Sequence, residues 1–464
     1  MAVFIYALFL IVFISVYKAT DDWFSPSRLH TLMWFVFFLG YILLMGGNLG
    51  LGGIIWLMLS CLVMMGGEIV GKRIKLKKIQ SDRPVDAYPQ KSKFYGFTLN
   101  NTSWWILFGT IFLGLIGVFS QLEMYGYDLS VFFDMSKFLE MNNAIAADRY
   151  SGNGETSMFV TFLSAFRYAG TLCGGYAFVY AKDIKKKVLC IGSLVPSALD
   201  MAINNTKVGM IASVFLFAIG FMIAYNAYYG ELPKMKLKYV LGIVGGLLLL
   251  FLALFLSMMA REGTFNKETF QVIKEKFVIY ALAQVETFDY WFCQVYETGT
   301  YTFGTSTFMA PFALLGLVEK KQGIYDFLEG MDSNIFTGYR GVISDFGIVG
   351  GLIFMFILGM IGGYARERVK RGQTSIWLKA FYDMLYAFVL FTILYSFVVS
   401  PWVYTVYWFA VILFFAYSLL AQRKVFFKNK NSFLRFVVLR DRLGYIKYVG
   451  FWSGPFSNDW SGNK

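Results

Sequence analysis

The sequence predicts an all-α protein, a polytopic bundle of about eleven transmembrane helices. Charged residues make up only 15% of the 464 residues and hydrophobic ones 57%, whereas a soluble domain carries about 25% charged residues. So few polar side chains cannot cover a surface that faces water. This excludes a soluble protein, a disordered chain and a nucleic-acid-binding protein, despite the net charge of +13. The apolar segments also run for about 20 residues instead of alternating over about 10, which excludes an outer-membrane barrel.

Eleven apolar segments along the chain are long enough to cross a bilayer as helices. The first has no basic region before it and no A-x-A cleavage site, so we interpret it as a retained helix and not as a signal peptide. Pro196 is expected to kink the sixth, because proline removes a backbone hydrogen bond. The predicted spans, with soft ends, are 3–17, 29–45, 50–70, 103–121, 158–181, 188–203, 207–229, 238–259, 343–365, 377–399 and 402–421.

Lysine and arginine are concentrated in alternate connections between these spans. One side of the predicted bundle carries 31 of the 42 basic residues and 11 of the 29 acidic ones. Because cytoplasmic loops carry the excess of positive charge, we expect this side in the cytoplasm, with the N-terminus outside and the C-terminus inside. Two interpretations of the basic tail, 422–464, stay open: orientation together with attraction to anionic lipid, or binding of a specific partner.

The chain is predicted to form a single integral membrane domain, 1–464, with two long outer loops. These are 122–157 and 260–342, and they offer the most room for chemistry in water. Two moderately apolar stretches in the second loop, near 277–293 and 302–318, are expected to be amphipathic or re-entrant elements and not full spans.

The cysteines form no CxxC pair and show no zinc-ligand spacing. The sequence therefore predicts neither a disulfide framework nor a metal site, and we expect no cofactor. The single histidine, His30, is predicted in a short loop. Catalysis by histidine is nearly excluded unless that one residue faces the site.

Several charged residues fall within or beside the predicted spans, where an unpaired charge costs about 2.5–3.5 kcal/mol. Two interpretations of Arg167 stay open: an ion pair, with Asp200 as the candidate partner, or an anion-binding residue whose planar fork grips phosphate. Lys207 is either a lysine that extends to the interface or, with Asn204 and Asn205 before it, part of an anion site at a helix start.

Further charges fall at the outer ends of spans or in the outer loops. Arg261 ends the eighth span, and Arg340 and Asp345 flank the start of the ninth. Arg149 lies in the first outer loop, where it is either a solvated charge or a further site residue.

Two neighbouring runs lie at the end of the second outer loop and at the start of the ninth predicted span: Ser333-Asn334-Ile335-Phe336-Thr337-Gly338-Tyr339-Arg340 and Ser344-Asp345-Phe346-Gly347-Ile348-Val349-Gly350. They resemble a motif of bacterial oligosaccharide repeat-unit polymerases, the Wzy-type O-antigen and capsule polymerases. In that family an Asn-hydrophobic-aromatic-Thr run precedes an Asp-Phe-Gly-x-x-Gly sequence that opens a transmembrane helix. The architecture is similar over nearly the whole chain. The family usually has an arginine opening a span after a polar turn, where this chain has Lys207.

The resemblance implies a membrane-embedded glycosyltransferase of the GT-C kind in the bacterial inner membrane, with its site facing the periplasm. It would transfer the growing glycan from undecaprenyl pyrophosphate to a hydroxyl of a new lipid-linked repeat unit, without metal or nucleotide. The implied partners are undecaprenyl-pyrophosphate-linked glycans of an O-antigen or similar polysaccharide and the lipid bilayer. A chain-length regulator is a further candidate, and no nucleic acid is expected.

The predicted site combines cations for the leaving pyrophosphate with a base for the acceptor hydroxyl. Fixed cations stabilise charge that develops on a leaving group, and a carboxylate within hydrogen-bond reach can accept the proton. The candidate bases are Glu286, Asp289 and Asp345, each of which could instead pair with one of the arginines. The candidate substrate-binding residues are Arg149, Arg167, Asn204, Asn205, Lys207, Arg261, Tyr339 and Arg340.

Two other functions stay open. An O-antigen ligase would use a histidine in an outer loop, and this chain has none there. A polysaccharide transporter or flippase usually shows paired halves or inverted repeats, which the sequence lacks.

The first prediction concerns topology. Cysteines introduced one at a time into 122–157 or 260–342 should react with a membrane-impermeant reagent added from outside, because these loops lie on the side with less positive charge. Cysteines in 71–102, 182–187, 230–237 or 366–376 should react only after the membrane is opened. Strong labelling from outside near Lys77 would contradict the predicted orientation.

Overall fold

Helices make up most of the structure. The computed structural model comprises two units, residues 1–75 with 99–423 and residues 76–98 with 424–464, and the helices belong to the first. The structure describes residues 2–20, 22–46, 49–74, 95–150, 157–204, 207–229, 237–262, 266–319, 328–329, 333, 335–371, 375–426, 435–440 and 446–452.

The helices of the described residues run from α1 to α16. In chain order they are α1 (Ala2–Ala19), α2 (Pro26–Leu44), α3 (Gly52–Arg73), α4 (Thr102–Met124), α5 (Met135–Tyr150), α6 (Met158–Phe178), α7 (Ile184–Gly192), α8 (Val195–Asn204), α9 (Lys207–Tyr229), α10 (Leu237–Glu262), α11 (Lys267–Leu282), α12 (Gln284–Tyr290), α13 (Met309–Leu314), α14 (Thr337–Arg371), α15 (Ile376–Tyr395) and α16 (Thr405–Ala421). A π-helical turn, Trp291–Val295, continues α12. The described residues also include four short strands: β1 (Tyr95–Leu99) pairs with β2 (Gln422–Phe426), and β3 (Arg435–Arg440) pairs antiparallel with β4 (Ile446–Trp452).

Each of the eleven predicted spans overlaps at least one helix. Among the residues that the structure describes, seven helices are long and apolar enough to cross a membrane, which agrees with the predicted helical class. They are Pro26–Leu44, Gly52–Arg73, Thr102–Met124, Ile184–Asn204, Lys207–Tyr229, Thr337–Arg371 and Ile376–Tyr395, where Ile184–Asn204 joins α7 to α8 and Thr337–Arg371 includes the break at Gly347.

Helices α3 and α14 approach until their backbones touch. A Cβ atom added to Gly67 would lie 2.0 Å from the carbonyl oxygen of Phe356, and one added to Gly359 would lie 2.1 Å from that of Met64. Such closeness is possible only where the side chain is a hydrogen atom, and small residues at four-residue spacing are a common way to pack membrane helices. The glycines in this contact are Gly67, Gly71, Gly359 and Gly363.

Helix α14 is a helical hairpin that reverses at Gly347. This residue has φ 75° and ψ 177°, which breaks the helix and which glycine adopts without steric cost. In a continuous helix, residues eight apart are about 12 Å apart along the axis. Here the rings of Phe346 and Phe354 stack with centroids 6.1 Å apart, and a Cβ on Gly351 would lie 3.4 Å from Cγ1 of Ile343. The first arm, 337–346, therefore packs alongside the second arm, 348–371.

Two predictions from the sequence are corrected here. The predicted span 343–365 begins too early, because the turn at Gly347 assigns its first residues to the first arm. His30 lies in helix α2 and not in a loop. That helix starts earlier than predicted because Ser25 caps it, its hydroxyl accepting a hydrogen bond from the backbone N–H of Arg28 at 3.3 Å.

A buried ion network joins α14 to α3 near Arg366. Glu68 is fully buried, and its carboxylate accepts hydrogen bonds from the Ser25 hydroxyl at 2.7 Å and the Ser27 backbone N–H at 3.0 Å. Arg366 lies 3.3 Å from Glu68 and 2.5 Å from Asp22. Because every charge here has a partner of opposite sign, the network can stay buried and fix the position of the second arm.

The second prediction concerns the glycine contact. Gly67→Ala should destabilise the protein by about 1–3 kcal/mol, because the new methyl group forces the two helices apart. Gly66→Ala is the matched control: it lies one residue away, and its Cβ would meet its nearest atom only at 3.9 Å. The measurement is the midpoint of thermal denaturation in detergent. Equal midpoints for the two variants would contradict the backbone contact.

Candidate functional site

Arg340 lies on the first arm of the hairpin, against aromatic rings. Its guanidinium carbon is 4.3 Å from the ring centroid of Phe336 and 5.4 Å from that of Trp291. A cation over an aromatic face is attracted by the ring quadrupole, so both rings help to orient the side chain. Arg340 is half-buried, which leaves part of its side chain accessible.

Tyr339, the preceding residue, anchors the same arm in the core. It is 3% exposed, and its ring packs on that of Trp56 with centroids 5.3 Å apart. Its hydroxyl accepts a hydrogen bond from Nε1 of Trp34 at 3.1 Å and lies 3.1 Å from the Ser396 hydroxyl. This burial places Tyr339 behind the site as a support for the arm.

Asp289 caps helix α3. Its carboxylate accepts hydrogen bonds from the backbone N–H groups of Leu51, Gly53 and Ile54 at 3.0, 2.8 and 3.3 Å. The first N–H groups of a helix have no partner within it, and a negative charge there is favoured by the helix dipole. Asp289 is fully buried, so its position suits a structural role.

Asp345 holds the turn at residues 302–307 against the end of the first arm. It is fully buried and accepts hydrogen bonds from the Thr302 hydroxyl at 2.5 Å and from the backbone N–H groups of Ser306 and Thr307 at 2.9 and 2.6 Å. Next to it, the ring of Tyr301 covers Gly347, where a Cβ would lie 2.9 Å from that ring. The carboxylate therefore joins the loop to the hairpin turn.

Glu286 is the half-buried member of the three candidate bases, whereas Asp289 and Asp345 are fully buried. It lies on α12, whose next residue, Thr287, donates a hydrogen bond to the carbonyl of Ile335 at 2.6 Å. This bond joins α12 to the residues that lead into the first arm. Glu286 therefore ranks first among the three for contact with a substrate.

Further aromatic residues lie beside Trp291 and the hairpin turn. Tyr296 packs on Trp291 with ring centroids 5.3 Å apart, and burial raises the pKa of its hydroxyl. Phe303 is 76% exposed. An apolar groove of about 520 Å³ runs beside the hairpin turn and is lined by Tyr301, Phe303, Asp345, Phe346, Gly350, Ile353, Phe354 and Ile357. Amphipathic rings of this kind suit contact with sugars or lipid.

Arg167 and Asp200 form a buried ion pair between α6 and α8. The ion pair that one of the two interpretations of Arg167 predicts is therefore present. The Asp200 carboxylate also accepts a hydrogen bond from Nδ2 of Asn204 at 2.7 Å, and the guanidinium of Arg167 lies 4.6 Å from the ring centroid of Tyr168. Burial leaves Arg167 7% exposed, so binding of an anion would require this pair to open or to accept a further ligand.

The structure divides the predicted residues into two groups linked by tyrosines. The group on α12 and α14 holds Glu286, Asp289, Tyr339, Arg340 and Asp345, and the group on α6 and α8 holds Arg167, Asp200 and Asn204. Tyr168 contacts Tyr407 with ring centroids 4.8 Å apart, and Tyr407 contacts Tyr395 at 5.6 Å. Tyr395 precedes Ser396, the partner of Tyr339.

For the remaining predicted site residues, the structure describes the helix position more fully than the side-chain contacts. Lys207 is half-buried and opens α9. Arg149 and Arg261 lie on α5 and α10, with side chains outside the described part of the chain, and Asn205 lies outside the described residues altogether. No cluster of three or more His, Cys, Asp or Glu residues that could hold a metal ion occurs in the described ranges.

Sequence reasoning missed the supporting residues of this site. Trp34, Trp56 and Trp291 lie in apolar runs or in a loop, and nothing in their spacing indicates that they meet around Tyr339 and Arg340. Comparison with protein-family models, with curated proteins and with solved structures finds no match for this chain.

The third prediction separates the two roles of Arg167. Arg167→Ala should destabilise the protein by about 3–5 kcal/mol, because it leaves Asp200 buried without its partner. The double variant Arg167→Met with Asp200→Asn removes both charges and keeps an acceptor for Asn204, so it should recover most of that stability. If Arg167 also binds phosphate, this stable double variant should lack the activity that the sequence resemblance implies, polymer synthesis from lipid-linked repeat units. A double variant with wild-type activity would show that the arginine is purely structural.

Proposed function

We propose that this protein is a repeat-unit polymerase, a glycosyltransferase that joins lipid-linked oligosaccharides. The observation that carries the proposal is the position of Arg340. It is a half-buried cation on a short helical arm, held over two aromatic rings, within the sequence run that resembles the family motif. An arginine fixed in this way is suited to bind a phosphate group through its planar fork.

In the proposed reaction, the bond between the first sugar of the growing glycan and undecaprenyl pyrophosphate breaks. The acceptor hydroxyl of a second lipid-linked unit forms the new glycosidic bond, and its proton passes to Glu286. The electron pair of the broken bond leaves with the pyrophosphate, where Arg340 stabilises the added negative charge. Two supporting facts are the partial exposure of Glu286 and the hydrogen bond that joins its helix to the chain before the first arm.

The proposed function also includes a topology, a fold and a location in the membrane. We expect eleven crossings, a GT-C-like arrangement, the bacterial inner membrane as the location and a site open to the periplasm. Support comes from the seven helices that could cross a membrane and from the charge asymmetry of the connecting loops. Lys207 at the start of α9 would be a further cation for phosphate, and Arg167 would act with it only if its pair with Asp200 admits a ligand.

A transporter is the second candidate, and one observation favours it. Lys379 and Asp383 form a buried pair 2.5 Å apart on α15. Tyr176 and Ser418 donate hydrogen bonds to the same carboxylate at 3.0 and 3.2 Å. Buried ionisable residues in membrane helices often mark paths for ions or protons. Transport of a lipid-linked oligosaccharide by the wild-type protein without polymer formation, and its loss in Asp383→Asn, would support this candidate.

The fourth prediction tests Arg340. Arg340→Ala should lower polymer synthesis about 100-fold, the usual loss when one group that stabilises developing charge is removed. Cells should then accumulate single capped repeat units. Arg368→Ala is the matched control, because Arg368 lies on the same hairpin and also packs on an aromatic ring, with Tyr364 4.8 Å away. Wild-type polymer from a folded Arg340→Ala protein would contradict the site.

Lys207→Arg should be tolerated if Lys207 serves as the family's arginine.

A further inference from the structure

The only histidine of the chain lies directly behind the proposed site. His30 is fully buried on α2, and Nε2 of its ring is hydrogen-bonded to the hydroxyl of Tyr339. The other ring nitrogen, Nδ1, lies 3.4 Å from Sγ of Cys61 on α3. The imidazole therefore bridges α2 and α3 to the first arm of the hairpin.

The protons around Tyr339 can be assigned in two ways. Trp34 can only donate to the Tyr339 oxygen, and the Ser396 hydroxyl donates to a backbone carbonyl at 2.7 Å, which leaves its oxygen as an acceptor. In the first arrangement, the Tyr339 hydroxyl donates to Nε2 of His30, and Nδ1–H of the ring faces Cys61. In the second, Nε2–H of His30 donates to the Tyr339 hydroxyl, which in turn donates to Ser396. Both arrangements satisfy every group, so the ring holds the tyrosine in either tautomer.

The first arm depends on such anchors. It has only ten residues and ends at the break at Gly347, and so short a helix is marginal by itself. Its first residue, Thr337, has φ 70°, a left-handed conformation that a β-branched residue adopts at a cost. The next residue, Gly338, donates its backbone N–H to the carbonyl of Ser396 at 2.6 Å. The side-chain bonds of Tyr339 add to this bond and to the one that the backbone N–H of Thr302 donates to the carbonyl of Ser344 at 3.1 Å.

We propose that His30 is a positioning residue for Arg340. Through Tyr339 it fixes the depth and rotation of the first arm, and the guanidinium of the next residue follows that rotation. This inference rests on the proposed function, because it assumes that Arg340 binds the phosphate of the substrate. Misplacing a binding group by about 1 Å can lower a rate about 100-fold, so a residue that touches no substrate can control activity in this way.

Because the chain has one histidine, labelling with ¹⁵N-histidine gives the signals of a single imidazole. The full-length protein, purified with a histidine-free tag and placed in lipid nanodiscs, is compared by NMR with two variants. Tyr339→Phe should shift both ring signals, because it removes the hydroxyl that meets Nε2. Tyr386→Phe is the matched control, since Tyr386 is a buried tyrosine whose hydroxyl donates to the carbonyl of Phe24. An unchanged imidazole in Tyr339→Phe would overturn the inference.

Addition of inorganic pyrophosphate supplies the second readout. It should shift the His30 signals in the wild-type protein and leave them unchanged in Arg340→Ala, which a merely structural histidine would not do. His30→Ala should lower polymer synthesis about 10- to 100-fold, and His30→Gln, whose amide can reach Tyr339, should restore most of it. A fully active His30→Ala protein beside an inactive Arg340→Ala protein would overturn the positioning role and leave the proposed function standing. A wild-type protein that neither responds to pyrophosphate nor makes polymer would overturn both.

Discussion

The direct contact between the backbones of α3 and the second arm of α14 is the constraint on which the candidate site depends. It brings Gly67 against Phe356 and Gly359 against Met64, so the second arm has little freedom to slide or rotate. Beside this contact, Arg366 and Glu68 fix the same pair of helices through charge. The reversal at Gly347 then starts from a fixed helix, and the first arm packs back onto it.

Buried charge in this protein is neutralised in two different ways. Asp289 and Asp345 are surrounded mainly by N–H and O–H donors, so each carboxylate is stabilised by hydrogen bonds. Glu68 and Asp200 instead have arginine partners. A carboxylate that receives several hydrogen bonds can remain charged without a neighbouring cation. In the proposed site, hydrogen-bond donors of the chain hold Asp289 and Asp345, and the rings of Trp291 and Phe336 orient Arg340.

The sequence predicts the helices well and the site only in part. Long apolar runs indicate spans because a bilayer demands them, and the pairing of Arg167 with Asp200 could be anticipated because an apolar helix must neutralise an arginine. The hairpin could not be anticipated from the sequence, because Asp-Phe-Gly there indicates the start of a helix. The reversal is visible only in the φ angle of Gly347. The role of Asp289 was equally hidden. Its partner Leu51 is 238 residues away in the chain, and spacing carries no information over such a distance.

In the proposed function, this bundle holds a fixed arginine for the transfer of a glycan between lipid carriers. The most direct measurement is an assay with the purified protein in nanodiscs and an undecaprenyl-pyrophosphate-linked repeat unit, in EDTA and without nucleotide. The account predicts a ladder of polymer with two, three and more units, released undecaprenyl pyrophosphate, and loss of both in Arg340→Ala but not in Arg368→Ala. A wild-type protein that leaves the repeat unit unchanged, or that only moves it across the bilayer, would contradict the account.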